Sequence, residues 1–171
     1  MTHVLTGAEP AEAARIARVH YDCWLETYPE PAAGIDLDWL RAQRAELLAE
    51  AGRQRWLGLL ESARTDPAGW FCRVVRPEPG GEVLGFLCGA VGERLSLGPM
   101  YLLRRAQGRG TGDRLMAEFL DWAAGRPIAL WVTEYNSRAI RFYERHGFAP
   151  TGERELWRDR LPNVRMVRPG G

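Results

Sequence analysis

Between Ala11 and Tyr28 the larger side chains fall at Ile16, His20, Tyr21, Trp24 and Tyr28, a helical spacing that Pro29 and Pro31 end. Asp36 is placed to cap a second helical region that runs towards Leu60, with an interruption near Gly52. The pattern then changes. Trp70–Val75, Val83–Val91 and Leu95–Leu103 predict three strands, the first two joined by the turn Pro77-Glu78-Pro79-Gly80-Gly81. Thr111–Ala124 predicts a helix, Ile128–Thr133 a strand, and Ser137–His146 a helix with Gly147 where a C-cap glycine belongs. Phe148–Glu153 and Val164–Val167 predict two closing strands around a loop, Arg158–Asn163, and Thr2–Leu5 a short opening strand.

Two helical regions, a three-strand meander and then strand–helix units predict a mixed α/β fold with a partly antiparallel sheet. No repeat, linker or low-complexity tract divides the 171 residues, a length suited to one compact domain. Residues 1–168 therefore read as a single domain and 169–171 as a frayed end.

Composition narrows the function by exclusion. A formal charge of +1 provides no global field for nucleic acid or a membrane surface. Cys23, Cys72 and Cys88 have no Cys-x-x-Cys spacing, which argues against a disulfide framework or a zinc site, and His3, His20 and His146 form no metal cluster. The first ten residues lack a basic start followed by an apolar run, and no apolar stretch approaches the roughly 20 residues of a membrane span. A cytoplasmic location is the default. All 23 basic residues are arginine. Without lysine there is no Schiff-base chemistry and no Walker A phosphate site.

The strongest chemical signal is Leu102-Leu103-Arg104-Arg105-Ala106-Gln107-Gly108-Arg109-Gly110-Thr111-Gly112. A strand enters a glycine-rich turn and a helix leaves it. Alternate glycines let backbone N–H groups curl inward, and the helix start adds unpaired N–H groups and a positive dipole end. That combination suits a phosphate or pyrophosphate, with Arg104, Arg105, Arg109 and Arg114 nearby. The spacing is Gly-x-Gly-x-Gly and lies past the middle of the chain, which fits a dinucleotide fingerprint poorly. A nicotinamide or flavin enzyme is correspondingly disfavoured.

The segment Gln107-x-x-Gly110-x-Gly112 resembles the cofactor motif of the GNAT family of N-acetyltransferases, Arg/Gln-x-x-Gly-x-Gly/Ala. The preceding Leu97-Gly98-Pro99-Met100-Tyr101-Leu102 resembles the family's fourth strand, where Pro99 would mark a bulge or an edge. Leu130 to Phe148 resembles its second conserved block, with Asn136-x-x-Ala139-x-x-Phe142-Tyr143 and the ending Gly147-Phe148. His20 to Tyr28 is similar to the first helix of many bacterial members.

The resemblance implies a central, mostly antiparallel sheet with splayed strands flanked by about four helices. It implies an N-acetyltransferase that moves an acetyl group directly from acetyl-CoA to a primary amine of a small molecule or peptide, with no metal. The pyrophosphate would lie on Gln107, Gly108, Arg109, Gly110, Thr111 and Gly112. The pantetheine arm would meet the backbone of Met100 and Leu102 and the side chain of Asn136. Tyr143 would protonate or hydrogen-bond the leaving thiolate. Trp24 and Tyr28 are candidates to wall the acceptor pocket, and pairing into a homodimer is open. Many relatives carry a glutamate before the cofactor loop where this chain has Ser96, so Glu93, Glu134, Asp22 and Glu26 remain as alternative bases. A non-catalytic acyl-CoA sensor stands as the other reading, distinguished by a lack of transfer to any amine.

Overall fold

The computed structural model describes residues 2–171. Its elements, in chain order, are β1 (His3–Thr6), α1 (Ala13–Thr27), α2 (Leu37–Arg44), α3 (Glu50–Thr65), β2 (Trp70–Pro77), β3 (Gly85–Val91), β4 (Leu95–Leu102), α4 (Thr111–Ala123), β5 (Ile128–Thr133), α5 (Ser137–Arg145), β6 (Ala149–Trp157) and β7 (Leu161–Arg168). The caps lie where the sequence predicts them. Asp36 Oδ1 accepts from the Trp39 N–H at 2.8 Å and Asn136 Oδ1 from the Ala139 N–H at 3.1 Å.

Two expectations are corrected. The second helical region breaks at a 3₁₀ turn, Ala45–Leu48, rather than near Gly52; the described residues hold five α-helices, in line with the expected fold. Gly52 sits inside the first turn of α3, where a Cβ would lie 2.4 Å from the Glu46 carbonyl oxygen and 2.5 Å from Leu47 Cα. That glycine marks where the 3₁₀ turn packs onto the helix, not where the helix stops. The expected loop at 158–163 shrinks to the turn between Trp157 and Leu161. Nearly all of β6 is exposed, so its sequence lacks the alternation that would have announced its length.

Among the described residues, seven strands form one sheet in the order β1-β2-β3-β4-β5-β7-β6, antiparallel everywhere except at β4–β5. Two features of β4 position the site. Against β3, Leu87 pairs with Met100 and Gly89 with Leu97, so Cys88 alone lies opposite Gly98-Pro99 and β4 bulges there. Against β5, the register holds only at Leu95–Ile128 and Ser96–Ala129. From Leu97 onward the two strands part.

Helices cover both faces. Phe86 of β3 packs with Trp56 of α3 and His20 of α1, at ring separations of 4.8 and 5.5 Å. Phe119 of α4 lies against the Gly89 position and Phe71. Residues 86 and 89 point to opposite faces of a pleated strand, which puts α1 and α3 on one side and α4 on the other. Phe86 and Phe119 are fully buried, each contributing roughly 1.5–3 kcal/mol by removal from water. A second, smaller cluster gathers Trp24, Tyr28, Ile35, Leu40 and Leu161. The chain end differs from a frayed tail in one respect: the Gly171 N–H donates to the Gly125 carbonyl at 3.0 Å. Among the described residues no helix is long and apolar enough to cross a membrane.

Candidate active site

Where β4 and β5 diverge, a cleft of about 960 Å³ opens. Leu97 to Leu102 form one wall and Trp131 and Val132 the other, while Gly108, Gly110 and Gly112 border it together with Asn136, Ala139, Phe142 and Tyr143 of the following block. Segments distant in sequence therefore meet because one strand pair loses its register. The bulge at Gly98-Pro99 lies in the β4 wall, and Met100 and Leu102 both line the cleft.

The glycine loop ends in the N-terminus of α4. Gly108 and Gly110 have φ of 77° and 70°, the left-handed region that residues with a Cβ enter only with strain. Gly110 is the N-cap, and the first turn beyond it has N–H groups without acceptors inside the helix. Gly112 matters for packing instead. A Cβ there would come within 3.3 Å of the Phe142 ring, so α4 and α5 approach closely at the cleft.

The loop's side chains divide in a way the sequence does not reveal. Gln107 is a brace. Its Nε2 donates to the Leu102 carbonyl at 2.7 Å, and its Oε1 accepts from Arg138 of α5. The Thr111 side chain faces away from the cleft, its Oγ1 2.9 Å from His3 Nδ1. Arg109 does not line the cleft and lies near enough to His3 to help lower its pKa, after the larger effect of burial. The cations bordering the cleft are Arg104, Arg138 and Arg145. Arg104 is held by Glu26, whose carboxylate accepts from the Arg104 N–H at 2.8 Å and whose carbonyl accepts from Nη2 at 2.7 Å. Arg145 is 3.8 Å from Asp113, which also meets His146 Nε2 at 3.0 Å.

Tyr143 lines the cleft with its ring packed edge-on to Phe142 and Phe148, at 5.5 and 5.7 Å. It is 8% exposed, and burial pushes its phenol well above the ordinary tyrosine value, with Tyr28 adding to the effect. The hydroxyl therefore holds its proton at neutral pH and can donate. Asn136 both caps α5 and lines the cleft.

The two acceptor-pocket candidates separate. Tyr28 lines the cleft, its hydroxyl 2.8 Å from that of Tyr101. Trp24 does not; it is 7% exposed and packs behind Tyr28, ring to ring at 4.6 Å. Helical spacing puts Trp24 and Tyr28 on one face of α1, and only the residue nearer the helix end reaches the opening. Of the four alternative bases, Glu26 alone lines the cleft; Asp22 pairs with Arg18 and Glu134 with Arg154. All three cysteines are buried and lie outside the cleft lining, and burial pushes the Cys23 and Cys88 thiols up, against nucleophilic use. Tyr101 and Arg138 sit within the motifs the sequence presents, yet nothing in their local pattern distinguishes them from ordinary strand and helix residues.

The model of the acetyltransferase (GNAT) family matches residues 14–148. A probable N-acetyltransferase of Mycobacterium tuberculosis is 24% identical over 165 residues, which span 90% of this chain and 84% of that protein. The PaiA N-acetyltransferase of Thermoplasma acidophilum, solved in complex with coenzyme A, has a TM-score of 0.78 at 17% identity and covers 99% of both chains. YncA of Salmonella typhimurium, solved with acetyl-CoA, has a TM-score of 0.70 at 16% identity, covering 99% of this chain and 94% of its own. At these identities the two solved structures carry the fold.

Proposed function

This chain belongs to the GNAT family of acetyltransferases, and from that premise we propose how its residues divide the work of moving an acetyl group from acetyl-CoA to an amine. The supporting observation is the cleft between β4 and β5, with a left-handed glycine loop and a helix N-terminus at its border and a protonated phenol on its wall. The pyrophosphate meets the backbone N–H groups of Gly108 to Gly112, where the dipole of α4 favours negative charge. The pantetheine arm takes the place of the strand pairing that β4 loses after Ser96, along Met100 and Leu102 and beside Asn136. Gln107 shapes the loop from behind.

In the reaction the amine nitrogen, in its neutral form, bonds to the thioester carbonyl carbon. The carbon–sulfur bond breaks, its electron pair leaves on sulfur, and the nitrogen gives up a proton to solvent, which restores the one that Tyr143 passes to sulfur. Tyr143 supplies a proton or a hydrogen bond to the thiolate. The acceptor is a small-molecule or peptide amine that enters past Tyr28. Residues 1–168 act as one catalytic domain, in the cytoplasm.

The test is release of free coenzyme A thiol on addition of amines from a varied panel, with acetyl-CoA held constant. Amine-dependent release together with an acetyl-CoA-induced rise in melting temperature is the expected result. Gly110→Asp, which puts bulk and negative charge at the helix start, should remove most of that rise. Undiminished cofactor affinity in a folded Gly110→Asp protein would move the pyrophosphate elsewhere, and tight binding with no transfer to any amine would make the chain a sensor.

A further inference from the structure

Behind the Tyr28–Tyr101 hydroxyl pair lies a buried pair of polar side chains, one cationic and one neutral, that the acetyl transfer above does not use. Arg44, at the end of α2, is 9% exposed, and His20 of α1 is 8% exposed. The Arg44 guanidinium lies over Trp24 at 4.2 Å and near Trp157 at 5.4 Å. His20 meets the same Trp24, whose Nε1–H donates to His20 Nε2 at 3.2 Å. An indole nitrogen only donates, so the imidazole proton of neutral His20 resides on Nδ1.

Among the described residues, two buried side-chain polar atoms have no hydrogen-bond partner, and they are His20 Nδ1 and Arg44 Nε. Both are donors. Orphaned buried donors are costly, and two around one tryptophan call for an acceptor. The local charge points the same way. Glu46 is shared by Arg44 and Arg55, each at 3.4 Å, and by Arg158 at 3.8 Å, so one carboxylate faces three guanidinium groups. Arg44 meets Glu46 through Nη1 alone, at 3.4 Å, which leaves Nε as the unpartnered donor on a guanidinium whose planar fork suits a carboxylate.

We propose that Arg44 and His20 receive the carboxylate of an acceptor that carries its amine at the other end, so that the substrate class is an amino acid or a related amino carboxylate. This rests on the acetyltransferase reading. Trp24 and Tyr28 separate the pair from the cleft by a single aromatic layer: the Trp24 and Tyr28 rings are 4.6 Å apart, and Tyr28 lines the opening. Displacing the Tyr28 ring from that layer, the acceptor sets its carboxylate end on Arg44 while its amine faces the thioester. A polyamine is disfavoured, because its second cation would approach a buried positive charge.

The experiment compares amino acids with their own carboxamides as acceptors, with spermidine as the polycationic probe. The parent should use carboxylates at least tenfold better by kcat/KM. Arg44→Gln should cut kcat/KM for carboxylates about ten- to a hundredfold more than for carboxamides, the range expected for hydrogen bonds to a charged group. Arg44→Lys, which keeps the charge, should recover part of the preference. A second readout needs no turnover: N-acetyl amino acids should raise the melting temperature of the coenzyme A complex more than N-acetyl amino amides. If that carboxylate-specific shift appears but no amine is acetylated, the anion site stands and the acetyltransferase reading falls. If carboxamides or spermidine are acetylated as well as carboxylates and the shift is missing, the anion site falls, whether or not Arg44→Gln folds.

Discussion

At the residue scale, the phenol of Tyr143 is the group whose chemistry is most directly testable. Burial keeps its proton in place, and its ring is already fixed between Phe142 and Phe148. Tyr143→Phe preserves that packing and removes the donor. The expected outcome is a folded protein with near-parental coenzyme A affinity and kcat lowered roughly 10²–10⁴-fold, measured where chemistry limits turnover. Full activity would return Tyr143 to the status of a packed aromatic. A second comparison separates two arginines that look equivalent in the sequence. Arg138 borders the cleft through Gln107, whereas Arg109 lies towards His3. Arg138→Ala should weaken cofactor binding more than Arg109→Ala and should flatten its dependence on ionic strength more, read from affinities at several salt concentrations. The reverse order would place the phosphates on the other side of the loop. What is legible at this scale is chemistry carried by neighbours in the chain: the two left-handed glycines, the capping asparagine, the tyrosine of the second block. Gln107 bracing Arg138, and Arg44 stacked on Trp24, arise only when distant segments meet, and no local spacing announces them.

At the scale of elements, periodicity is a good guide wherever one face is buried and a poor one where neither is. β5 lies where the sequence puts it, residue for residue, whereas β6 outruns its predicted end because it is exposed on both faces. Gly52 shows the other kind of failure. A glycine amid helical spacing reads as a break, yet it is a contact point inside α3. The substitution Gly52→Ala tests this. Helix propensity alone would favour alanine by up to about 1 kcal/mol. The atoms a Cβ would meet are backbone and cannot swing aside, so the expected result is a net loss of about 1–3 kcal/mol in denaturant unfolding. A stabilised Gly52→Ala protein would mean that the 3₁₀ turn is loosely held.

For the whole molecule, the buried imidazole couples folding to acidity. Burial, aided by Arg44 and Arg55, lowers the pKa of His20 from its ordinary 6.5 to about 3. Between those values the unfolded chain takes up a proton that the folded chain refuses. Stability conferred by neutral His20 is therefore fully present above pH 6.5 and lost as pH falls towards 3, at up to roughly 1.4 kcal/mol per pH unit. Unfolding free energies measured across that window should show the slope, and His20→Phe should reduce it. A slope identical in parent and variant would assign the acid sensitivity to other groups. The parting of β4 from β5 has a mechanical consequence. With register at only Leu95 and Ser96, the seven described strands divide into two plates, β1–β4 and β5–β7, joined at one end. A ligand lying in the gap acts as a keystone: deuterium uptake should slow on both flanks together when coenzyme A is added, including at amides that never touch it, because opening either plate would first require expelling the wedge that locks them.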